Sequence, residues 1–424
     1  MKRTLPQWLE YQLQTHPQAI AMGLERVREV AGRLSLGRPG AQVITVGGTN
    51  GKGSTVAFIE AIARAGRLRV GAFTSPHLLR YNERVRIDGK EVADAPLVAA
   101  FERIERARGE IPLTYFEFGT LAALLVFEQS QLDLAILEVG MGGTLDAVNL
   151  IDADVAVLTT VDLDHQQYLG NDRETIGADK AGIFRAGKAC VLAEADPPSS
   201  VLRHAYRIGA VAIRAQADYL FERSEDGASW TWREPGFELQ LPMPALLAPA
   251  QLGNAAAAIA ALRALPLELA DAALIRGVRE ARVPGRLQVI GEAPEIVVDV
   301  AHNPQAAGQL ADWLRAHPRP TRAVFSALAD KDIEAIAGRV DPWVSHWYLA
   351  GIGDAGPRGL GAEALAQRLA ALPGPERRRI FPSIAEALAA ARADSGTDER
   401  VLVFGSFHTV AEALKTNGPG RERV

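Results

Sequence analysis

The sequence is poor in cysteine and contains no long hydrophobic run. Its 424 residues include one cysteine, Cys190, so an internal disulfide is excluded and a reducing compartment is expected. Cys190 lies in the apolar run 189–192, which favours a buried packing residue over a nucleophile. The longest alanine-rich stretch, residues 254–264, is interrupted by Arg263 and is too short to cross a membrane.

The sequence also lacks an excess of positive charge. The formal net charge is −5, so there is no basic field to bind nucleic acid. Lys2 and Arg3 precede no apolar core, so no signal peptide is visible. Repeats and low-complexity segments are absent as well. We therefore expect a cytoplasmic protein that binds neither nucleic acid nor a membrane, and a monomer, because no separate assembly element is visible.

The sequence does contain a regular alternation of apolar strands and helices. Buried-strand patterns with intervening helical patterns lie at residues 43–46, 70–75, 134–139, 155–161, 189–193 and 211–214. This alternation predicts an α/β fold, with a mostly parallel sheet and helices on both faces. Residues 217–242 alternate apolar and polar side chains, which predicts antiparallel strands.

A pause in the pattern at Val283-Pro284-Gly285-Arg286 predicts a linker. A second α/β pattern follows it, with strands predicted near 296–300, 322–327, 347–350 and 401–405. The length of the chain is typical of two to three domains. We therefore expect domains at 1–283 and 284–424, with a frayed tail from Asn417 onwards.

The most informative motif is a glycine-rich turn between a strand and a helix. The apolar run 43–46 leads into Gly48-Thr49-Asn50-Gly51-Lys52-Gly53-Ser54, and a helical pattern follows. Backbone N–H groups and a helix N-terminus in this setting can surround a phosphate. Lys52 would reach the outer phosphates, and Ser54 could place a hydroxyl near a metal. An ordinary glycine turn is the alternative, but it needs neither the lysine nor the serine.

The motif departs from the strict P-loop pattern. Val46 occupies the position five before Gly51, and Gly53 directly follows the lysine. The loop is therefore a compressed variant and does not indicate a generic kinase or GTPase.

Polar residues follow or end three of the predicted strands. Ser75 follows one strand, Glu138 lies near the end of another, and His165 follows a third, close to Asp162 and Asp164. Parallel sheets place ligands at the carboxyl ends of their strands. Ser75, Glu138 and His165 could therefore hold a Mg²⁺ ion together with water and ATP phosphate. The alternative for Glu138 is a salt-bridged strand end.

A further cluster is Asp179-Lys180-Ala181-Gly182-Ile183-Phe184. Lys180 could pair with a phosphate or with Asp179. The pattern alone does not separate these roles.

These motifs together resemble the Mur ligase superfamily and, within it, the bifunctional dihydrofolate synthase/folylpolyglutamate synthases. The resemblance begins at the phosphate loop and runs almost from end to end of the chain. Its further motifs are Thr74-Ser75-Pro76-His77-Leu78, Glu83-Arg84-Val85, Thr114-Tyr115-Phe116-Glu117-Phe118-Gly119-Thr120, Leu137-Glu138-Val139-Gly140-Met141-Gly142-Gly143, Leu145-Asp146-Ala147, Leu163-Asp164-His165, Leu169-Gly170, Lys180-Ala181-Gly182-Ile183, Pro284-Gly285-Arg286, Asp299-Val300-Ala301-His302-Asn303-Pro304, Gly356-Pro357-Arg358-Gly359 and Gly405-Ser406-Phe407-His408-Thr409.

The resemblance implies a fold and a reaction. The first domain would be like the central domain of Mur ligases, with a P-loop-type sheet that binds ATP and folate. The second would be a smaller Rossmann-like domain that takes part in glutamate ligation. In the reaction, a carboxylate attacks the γ-phosphate of ATP and becomes an acyl phosphate, which the amine of L-glutamate then attacks. The substrates would be 7,8-dihydropteroate, reduced folates and L-glutamate.

The resemblance also implies roles for residues of the first domain. Thr49, Asn50, Gly51, Lys52, Gly53 and Ser54 would bind ATP, and Asn254 would contact adenine. The ligands of two Mg²⁺ ions would be Ser54, Ser75, Glu138, His165 and Lys180. Lys180 would act as a ligand after carbamylation, which turns the cation into an anion and needs a neutral amine. Lys52, Lys180, His165 and Arg286 would be the catalytic residues.

The pterin, the nucleotide and glutamate would contact further residues. Thr114, Phe116 and Asp146 would bind the pterin, although Phe116 could instead be a plain core residue. Arg286 would contact phosphate, Asp299 ribose and His302 the nucleoside. The alternative for Asp299 and His302 is a capped helix start ahead of Pro304. Ser406 and His408 would bind the incoming glutamate.

The sequence departs from the family pattern at Thr144, where an arginine is expected before Leu-Asp-Ala. This change affects the pterin side of the site and leaves the ATP side untouched. Three other interpretations stay open: a monofunctional folylpolyglutamate synthase, another Mur-type amino-acid ligase, and a nucleotide-dependent switch on the same fold.

Overall fold

The computed structural model describes residues 3–16, 18, 20–353 and 356–417. The chain forms two compact units. The first consists of residues up to His77 together with Tyr81–Ala245 and Gln251–Arg282, and the second of Leu78–Arg80, Leu246–Ala250 and the chain from Val283 onwards. The tail that we expected to be frayed lies, from residue 418, outside the described residues. No helix in the described ranges is both long enough and apolar enough to cross a membrane.

The first unit contains three groups of elements. Its helices are α1 (Leu5–Gln14), α2 (Glu25–Leu34), α3 (Lys52–Ala65), α4 (Asp94–Arg108), α5 (Tyr115–Glu128), α6 (Gln166–Leu169), α7 (Arg173–Lys180), α8 (Ser199–Ile208), α9 (Gln251–Arg263) and α10 (Asp271–Glu280). The strands of its main sheet are β1 (Gln42–Gly47), β2 (Val70–Phe73), β3 (Val85–Ile87), β4 (Lys90–Glu91), β5 (Leu134–Glu138), β6 (Val155–Leu158), β7 (Ala189–Leu192) and β8 (Val211–Arg214). A separate small sheet contains β9 (Leu220–Arg223), β10 (Ser229–Glu234) and β11 (Phe237–Pro242).

The main sheet has the strand order β4-β3-β2-β5-β1-β6-β7-β8. All pairs from β2 to β8 are parallel, and only the β3–β4 hairpin is antiparallel to its neighbours. The order places β1 between β5 and β6, so the glycine-rich turn after β1 lies between the ends of two other strands. This confirms the predicted α/β class and its mostly parallel sheet. The antiparallel strands predicted at 217–242 are β9, β10 and β11.

Two local features of the first unit have simple causes. Helices α1 and α2 are separate, because Gly23 in their connection has a φ of 139°, which a helix cannot contain. Helix α5 begins at Tyr115. There Thr114 and Glu117 form a capping box that satisfies the first free N–H groups.

The second unit is a sheet with helices on both faces. Its strands are β12 (Gln288–Glu292), β13 (Glu295–Asp299), β14 (Thr321–Phe325), β15 (His346–Ala350), β16 (Arg378–Phe381) and β17 (Arg400–Phe404), and its helices are α11 (Pro304–Ala316), α12 (Ile333–Val340), α13 (Ala362–Arg368), α14 (Ile384–Ala393) and α15 (Phe407–Asn417). The strand order is β12-β13-β17-β14-β15-β16, and β12 alone is antiparallel. The central strands are therefore buried on both faces, as their continuous apolar runs predict.

Alternate residues of these strands form two separate cores in the second unit. Val297 and Leu402 pack with one set of helices, whereas their neighbours Val298 and Val403 pack in a second cluster. This period of two is the strand periodicity expected from the pleat. The arrangement fixes which residues emerge at the carboxyl ends of β13 and β17.

Candidate active site

The glycine-rich turn connects β1 to α3 in the first unit. Gly48 and Gly51 have φ angles of 141° and 88°, which side chains rarely adopt. A Cβ on Gly48 would lie 1.9 Å from Oγ1 of Thr159, and a Cβ on Gly51 would lie 2.6 Å from Oδ1 of Asn254. Glycine is therefore required at both positions by backbone conformation and by space. Helix α3 begins at Lys52, so its free N–H groups face the turn.

Two threonines after β6 hold this turn in place. Oγ1 of Thr159 donates to the carbonyl oxygens of Asn50 (2.6 Å) and Gly47 (3.1 Å). Oγ1 of Thr160 accepts the backbone N–H of Asn50 at 3.1 Å. Thr49 is tied to the same segment, since its N–H donates to the carbonyl of Thr160 at 2.7 Å. The hydroxyl groups thus fix the peptide groups that a phosphate would approach.

Lys52 and Asn254 both lie against the turn. Nζ of Lys52 donates to the carbonyl oxygens of Gly48 (3.0 Å) and Thr49 (3.2 Å). Asn254 is buried on α9 and its amide donates to Oε1 of Gln251 at 3.1 Å. Asn254 therefore lies beside the turn although it is 203 residues away from Gly51 in the sequence.

Glu138 and Ser75 meet at the carboxyl edge of the main sheet. Glu138 ends β5 and is only 4% exposed, and the backbone N–H of Ser75 donates to its Oε2 at 3.1 Å. A Cβ on Gly53, in the first turn of α3, would lie 3.8 Å from the same carboxylate oxygen. A carboxylate buried beside the phosphate loop is a costly arrangement that suits a cation-binding role.

His165 has an unusual backbone. Its φ of 52° and ψ of 36° place it in the left-handed region, where a residue with a side chain is strained. The carboxylate of Asp164 supports this conformation by accepting the N–H of His165 at 2.9 Å. Strain of this kind is typical of functional positions, and His165 lies on the loop after β6 where the sequence predicts a metal ligand.

Lys180 ends α7 and is 4% exposed. Burial, and after it the positive charge of Lys52, lower the pKa of Lys180 to about 7, against the opposing effects of Asp179, Asp164 and Asp146. These interactions place Lys180, Lys52 and Asp146 within electrostatic range of one another. A lysine in this environment is a neutral amine at physiological pH to a large extent, which is the state that carbamylation requires.

The residues present fit divalent metal ions. Within the described ranges, no group of three or more His, Cys, Asp and Glu side chains is gathered as a metal cluster. The predicted set does not depend on such a group, because it combines one carboxylate with one imidazole, hydroxyl groups and a modified lysine. The buried Glu138, which the phosphate loop approaches, supplies the hard oxygen donor that Mg²⁺ prefers.

The three residues predicted to bind a pterin lie close to the same edge. Phe116 is half-buried, and its ring contacts Phe73 and the space beside Gly140, where a Cβ would lie 2.6 Å from the ring. Thr114 caps α5, with its hydroxyl accepting the N–H of Glu117 at 3.2 Å. Each therefore has a structural role in addition to any contact with a ligand.

Asp146 is buried and supports its own loop. Its carboxylate accepts the backbone N–H groups of Met141 and Val148, both at 2.9 Å. Burial raises the pKa of Asp146 to about 6, against these hydrogen bonds and the charge of Lys52. The carboxyl group therefore titrates much closer to neutrality than an ordinary aspartate.

Thr144 occupies the place of the expected arginine and makes a compact contact instead. Its Oγ1 donates to the carbonyl oxygen of Asp179 at 2.8 Å, next to Lys180 in the chain. A Cβ on Gly182 would lie 2.1 Å from the same hydroxyl oxygen. The threonine thus closes the space between the 140–146 loop and the end of α7.

Two of the three residues of the second unit predicted to bind nucleotide lie beside Phe407, and the third, Asp299, lies near Arg286. The guanidinium of Arg286 lies 5.9 Å from the centre of the Phe407 ring, and the ring of His302 lies 6.0 Å from it. Asp299 is buried, and its carboxylate accepts the N–H groups of Leu287 (2.9 Å) and Ala301 (2.8 Å). Burial raises the pKa of Asp299, and the positive charge of Arg286 opposes the rise.

Ser406 and His408, the residues predicted to bind glutamate, differ in their surroundings. Ser406 is buried, and its Oγ accepts the N–H of Thr409 at 3.0 Å. It therefore stabilises the start of α15, as the commonest N-terminal capping residues do. His408 is exposed. The role of both residues in binding glutamate stays a prediction.

Sequence reasoning gave no role to several residues that shape the site. These are Thr159 and Thr160, which hold the phosphate loop, and Phe407, which contacts two predicted nucleotide residues. The threonines end an apolar strand pattern, and such a position in a parallel sheet was a usable signal. Phe407 carried no signal beyond its place in the motif.

Known proteins resemble this chain along nearly its whole length. Residues 46–262 match the family model described as Mur ligase middle domain, and residues 285–407 match the one described as Mur ligase, glutamate ligase domain. The dihydrofolate synthase/folylpolyglutamate synthase of Escherichia coli strain K12 is 44% identical over 414 residues, with 97% of this chain and 95% of that protein covered.

Solved structures show the same similarity. E. coli FolC in complex with DHPP and ADP has a TM-score of 0.92 and 44% identity, with 97% of each chain covered. A bifunctional folylpolyglutamate synthase/dihydrofolate synthase with Mn, AMPPNP and L-glutamate bound has a TM-score of 0.89 and 44% identity, covering 97% of this chain and 98% of that one. The family models, the identity and the fold agree, and the chain belongs to the Mur ligase family, within its dihydrofolate synthase/folylpolyglutamate synthase group.

Proposed function

We propose that this protein is an ATP-dependent ligase that joins L-glutamate to 7,8-dihydropteroate and adds further glutamates to reduced folates. The observation that carries the proposal is the 44% identity, over 97% of the chain, to an enzyme named for both activities. The buried edge where the phosphate loop meets Glu138 and Lys180 supports it, because an acyl-phosphate reaction depends on positioning and on neutralising phosphate charge.

The first unit binds ATP through its glycine-rich turn. The N–H groups of residues 49–54 and the start of α3 surround the phosphates, with Lys52 as a mobile cation that exchanges its loop carbonyls for phosphate oxygens. Thr159 and Thr160 keep the turn rigid, so its N–H groups are oriented before the nucleotide arrives. Asn254 lies against the turn and contacts the adenine.

Two Mg²⁺ ions would be held by Ser54, Ser75, Glu138, His165 and a carbamylated Lys180. When bound, Mg²⁺ neutralises phosphate charge and orients the γ-phosphate for attack. The lowered pKa of Lys180, caused first by burial, supports carbamylation because it supplies the neutral amine. We expect Arg286 to bind phosphate, Asp299 ribose and His302 the nucleoside, and Ser406 and His408 to bind glutamate.

Thr114, Phe116 and Asp146 hold the pterin. The half-buried ring of Phe116 offers a face for stacking, and the carboxylate of Asp146 accepts ring N–H groups in its ionised state. The carboxylate of the substrate, at the far end from the pterin, is then directed toward the γ-phosphate. Holding both reactants in this way supplies a large part of the rate increase, together with neutralisation of the phosphate charge.

Mass spectrometry of reaction products tests the proposal. Purified protein receives Mg-ATP and L-glutamate with either 7,8-dihydropteroate or tetrahydrofolate, and we expect a one-glutamate mass increase with each substrate. Omission of the pterin substrate is the control and should leave ATP almost unhydrolysed. Product from tetrahydrofolate alone would show a monofunctional folylpolyglutamate synthase. Product from neither substrate, with ADP still bound, would reject the proposal in favour of another Mur-type ligase.

A further inference from the structure

Arg84 is a buried cation with an incomplete set of partners. It ends the short 3₁₀ helix Tyr81–Arg84 and directly precedes β3. Its residue surface is 8% exposed. The Nε atom donates to Nδ1 of His77 at 2.8 Å. In the described part of the chain, no ion pair or hydrogen bond joins its two terminal nitrogens, Nη1 and Nη2, to another residue.

Two other buried arginines of the chain have the carboxylate partner that Arg84 lacks. Arg108, which is 7% exposed, pairs with Glu105 and donates to a backbone carbonyl. Arg400, which is 3% exposed, pairs with Glu295 and also donates to a carbonyl. Arg84 has no carboxylate partner among the described residues. A largely buried charge without a counter-ion is costly, so this position suits an anion that comes from outside the chain.

The surroundings of Arg84 hold the guanidinium in a fixed plane. Its Cζ lies 5.5 Å from the centre of the Tyr81 ring and 5.4 Å from that of Tyr115. The two rings are perpendicular to each other, at 88° and 5.8 Å. Aromatic rings of this kind stabilise an arginine without using its hydrogen-bond donors. The terminal nitrogens therefore stay available for a planar anion such as a carboxylate.

The position of Arg84 along the chain indicates which anion this is. Tyr115 lies between Thr114 and Phe116, the residues of the pterin site, and His77 is two residues from Ser75 at the metal site. Arg84 contacts both segments, so it lies between the pterin end of a substrate and the place where its carboxylate meets phosphate. The side chain of a folate, which carries carboxylates, has to cross this region.

We propose that Arg84 binds the α-carboxylate of the terminal glutamate of a reduced folate, which leaves the γ-carboxylate, on the longer arm, to be activated. This rests on the proposed function. A carboxylate neutralised by an arginine fork is a poor nucleophile, so the fork suits the carboxylate that does not react. Dihydropteroate has a single carboxylate, which must react. Arg84 therefore contributes to the binding of folates but not of dihydropteroate, and it determines which carboxylate of a folate is extended.

Arg84→Met tests the proposal, because methionine fills the space between the two tyrosines without a charge. We expect KM for tetrahydrofolate to rise about 10- to 100-fold, as for other hydrogen bonds to charged groups, with KM for dihydropteroate and for ATP changed less than threefold. Arg84→Lys should be intermediate, since it keeps the charge but not the planar fork. The matched control is Arg276→Met, which removes an arginine from an exposed pair with Glu280 and should change no KM.

A substrate analogue separates binding from folding. Tetrahydropteroyl-isoglutamine carries an amide in place of the α-carboxylate, so wild-type protein should discriminate against it about 10- to 100-fold. Arg84→Met should discriminate less than threefold. The wild-type measurement can overturn the proposal even if Arg84→Met does not fold, and Arg84→Lys, which keeps the charge, then gives the comparison with a variant.

Several results would overturn the proposal. They include an equal rise of KM for tetrahydrofolate and dihydropteroate in Arg84→Met, a wild-type enzyme indifferent to the amide, and an Arg84→Met variant that still discriminates against the amide. Turnover of dihydropteroate alone would also overturn it, because no folate would then be a substrate. Failure of the proposed function is distinguishable, since wild-type protein would then form product from neither substrate.

Discussion

Replacement of Gly48 by alanine should disrupt the phosphate loop more than any other single-methyl change in it. The new Cβ would lie 1.9 Å from Oγ1 of Thr159 and 3.1 Å from its backbone nitrogen, at a φ of 141°. The strained backbone costs about 1–3 kcal/mol. Displacement of the Thr159 hydroxyl removes one of the donors to each of the carbonyl oxygens of Gly47 and Asn50, which costs about 0.5–1.5 kcal/mol for each bond, or about 1–3 kcal/mol together. We therefore expect a total loss of about 2–6 kcal/mol.

This loss is divided between folding and nucleotide binding, so both must be measured. Urea unfolding gives the change in the free energy of unfolding, and calorimetric titration with ADP gives the change in affinity. The matched control is Gly32→Ala in α2, where a Cβ would meet nothing within 4 Å. That change should leave ADP binding unaltered and stabilise the helix by up to about 1 kcal/mol.

A second variant tests the cause of the loss. Thr159→Ala removes the atom that the new Cβ would meet, so the double variant Gly48→Ala/Thr159→Ala should lose less than the sum of the two single changes. The reasoning is refuted if Gly48→Ala lies within 0.5 kcal/mol (about one RT) of wild type in both measurements. Strict additivity in the double variant would show that the two residues do not compete for the same space.

Three further predictions concern the pterin and metal sides of the site. With a pKa of about 7, about half of Lys180 is neutral at pH 7, against about 1 in 2,500 for a lysine of pKa about 10.4. CO₂-free buffer should therefore abolish activity, and ¹³C-bicarbonate should restore it with a ¹³C label on the protein, faster at pH 8 than at pH 6. The Lys180→Met variant should not respond to bicarbonate. Activity independent of CO₂ would contradict carbamylation. Burial raises the pKa of Asp146 to about 6, so its ionised form is lost as pH falls from 7 to 5. KM for dihydropteroate should therefore rise several-fold over this range, while KM for ATP stays constant. Asp146→Asn should flatten this pH profile of KM, and an unchanged profile in the variant would exclude Asp146 from the pterin contact. Thr144→Arg should change the ratio of kcat/KM values for dihydropteroate and tetrahydrofolate without altering KM for ATP, whereas an equal change for both folate substrates would indicate a loss of the Asp179 contact alone.

Local sequence patterns predicted the elements with strong periodicity. The strands β1, β5 and β6 lie where apolar runs predict them. The predicted strand at 155–161 ends at Leu158, because Thr159 and Thr160 turn aside to bond the phosphate loop. Short alanine-rich helices such as α14 escaped prediction, since alanine gives no clear apolar face.

The candidate site was predictable where one segment contains the whole motif. Gly48, Gly51 and Lys52 belong to one turn, and their chemistry follows from their spacing. The environment of a side chain is different, because it depends on neighbours from distant segments. The lowered pKa of Lys180 arises from burial and from Lys52, which is 128 residues away in the chain.

The sequence by itself determined the α/β class, the phosphate loop and the family, because these depend on periodicity and on motifs contained in short segments. The tertiary structure alone decided the electrostatic state of the site. Burial of Lys180 and Asp146 and the incomplete pairing of Arg84 result from the order of strands and from helices packed over them. Charges respond to everything within several ångströms, and that neighbourhood exists only once the chain has folded.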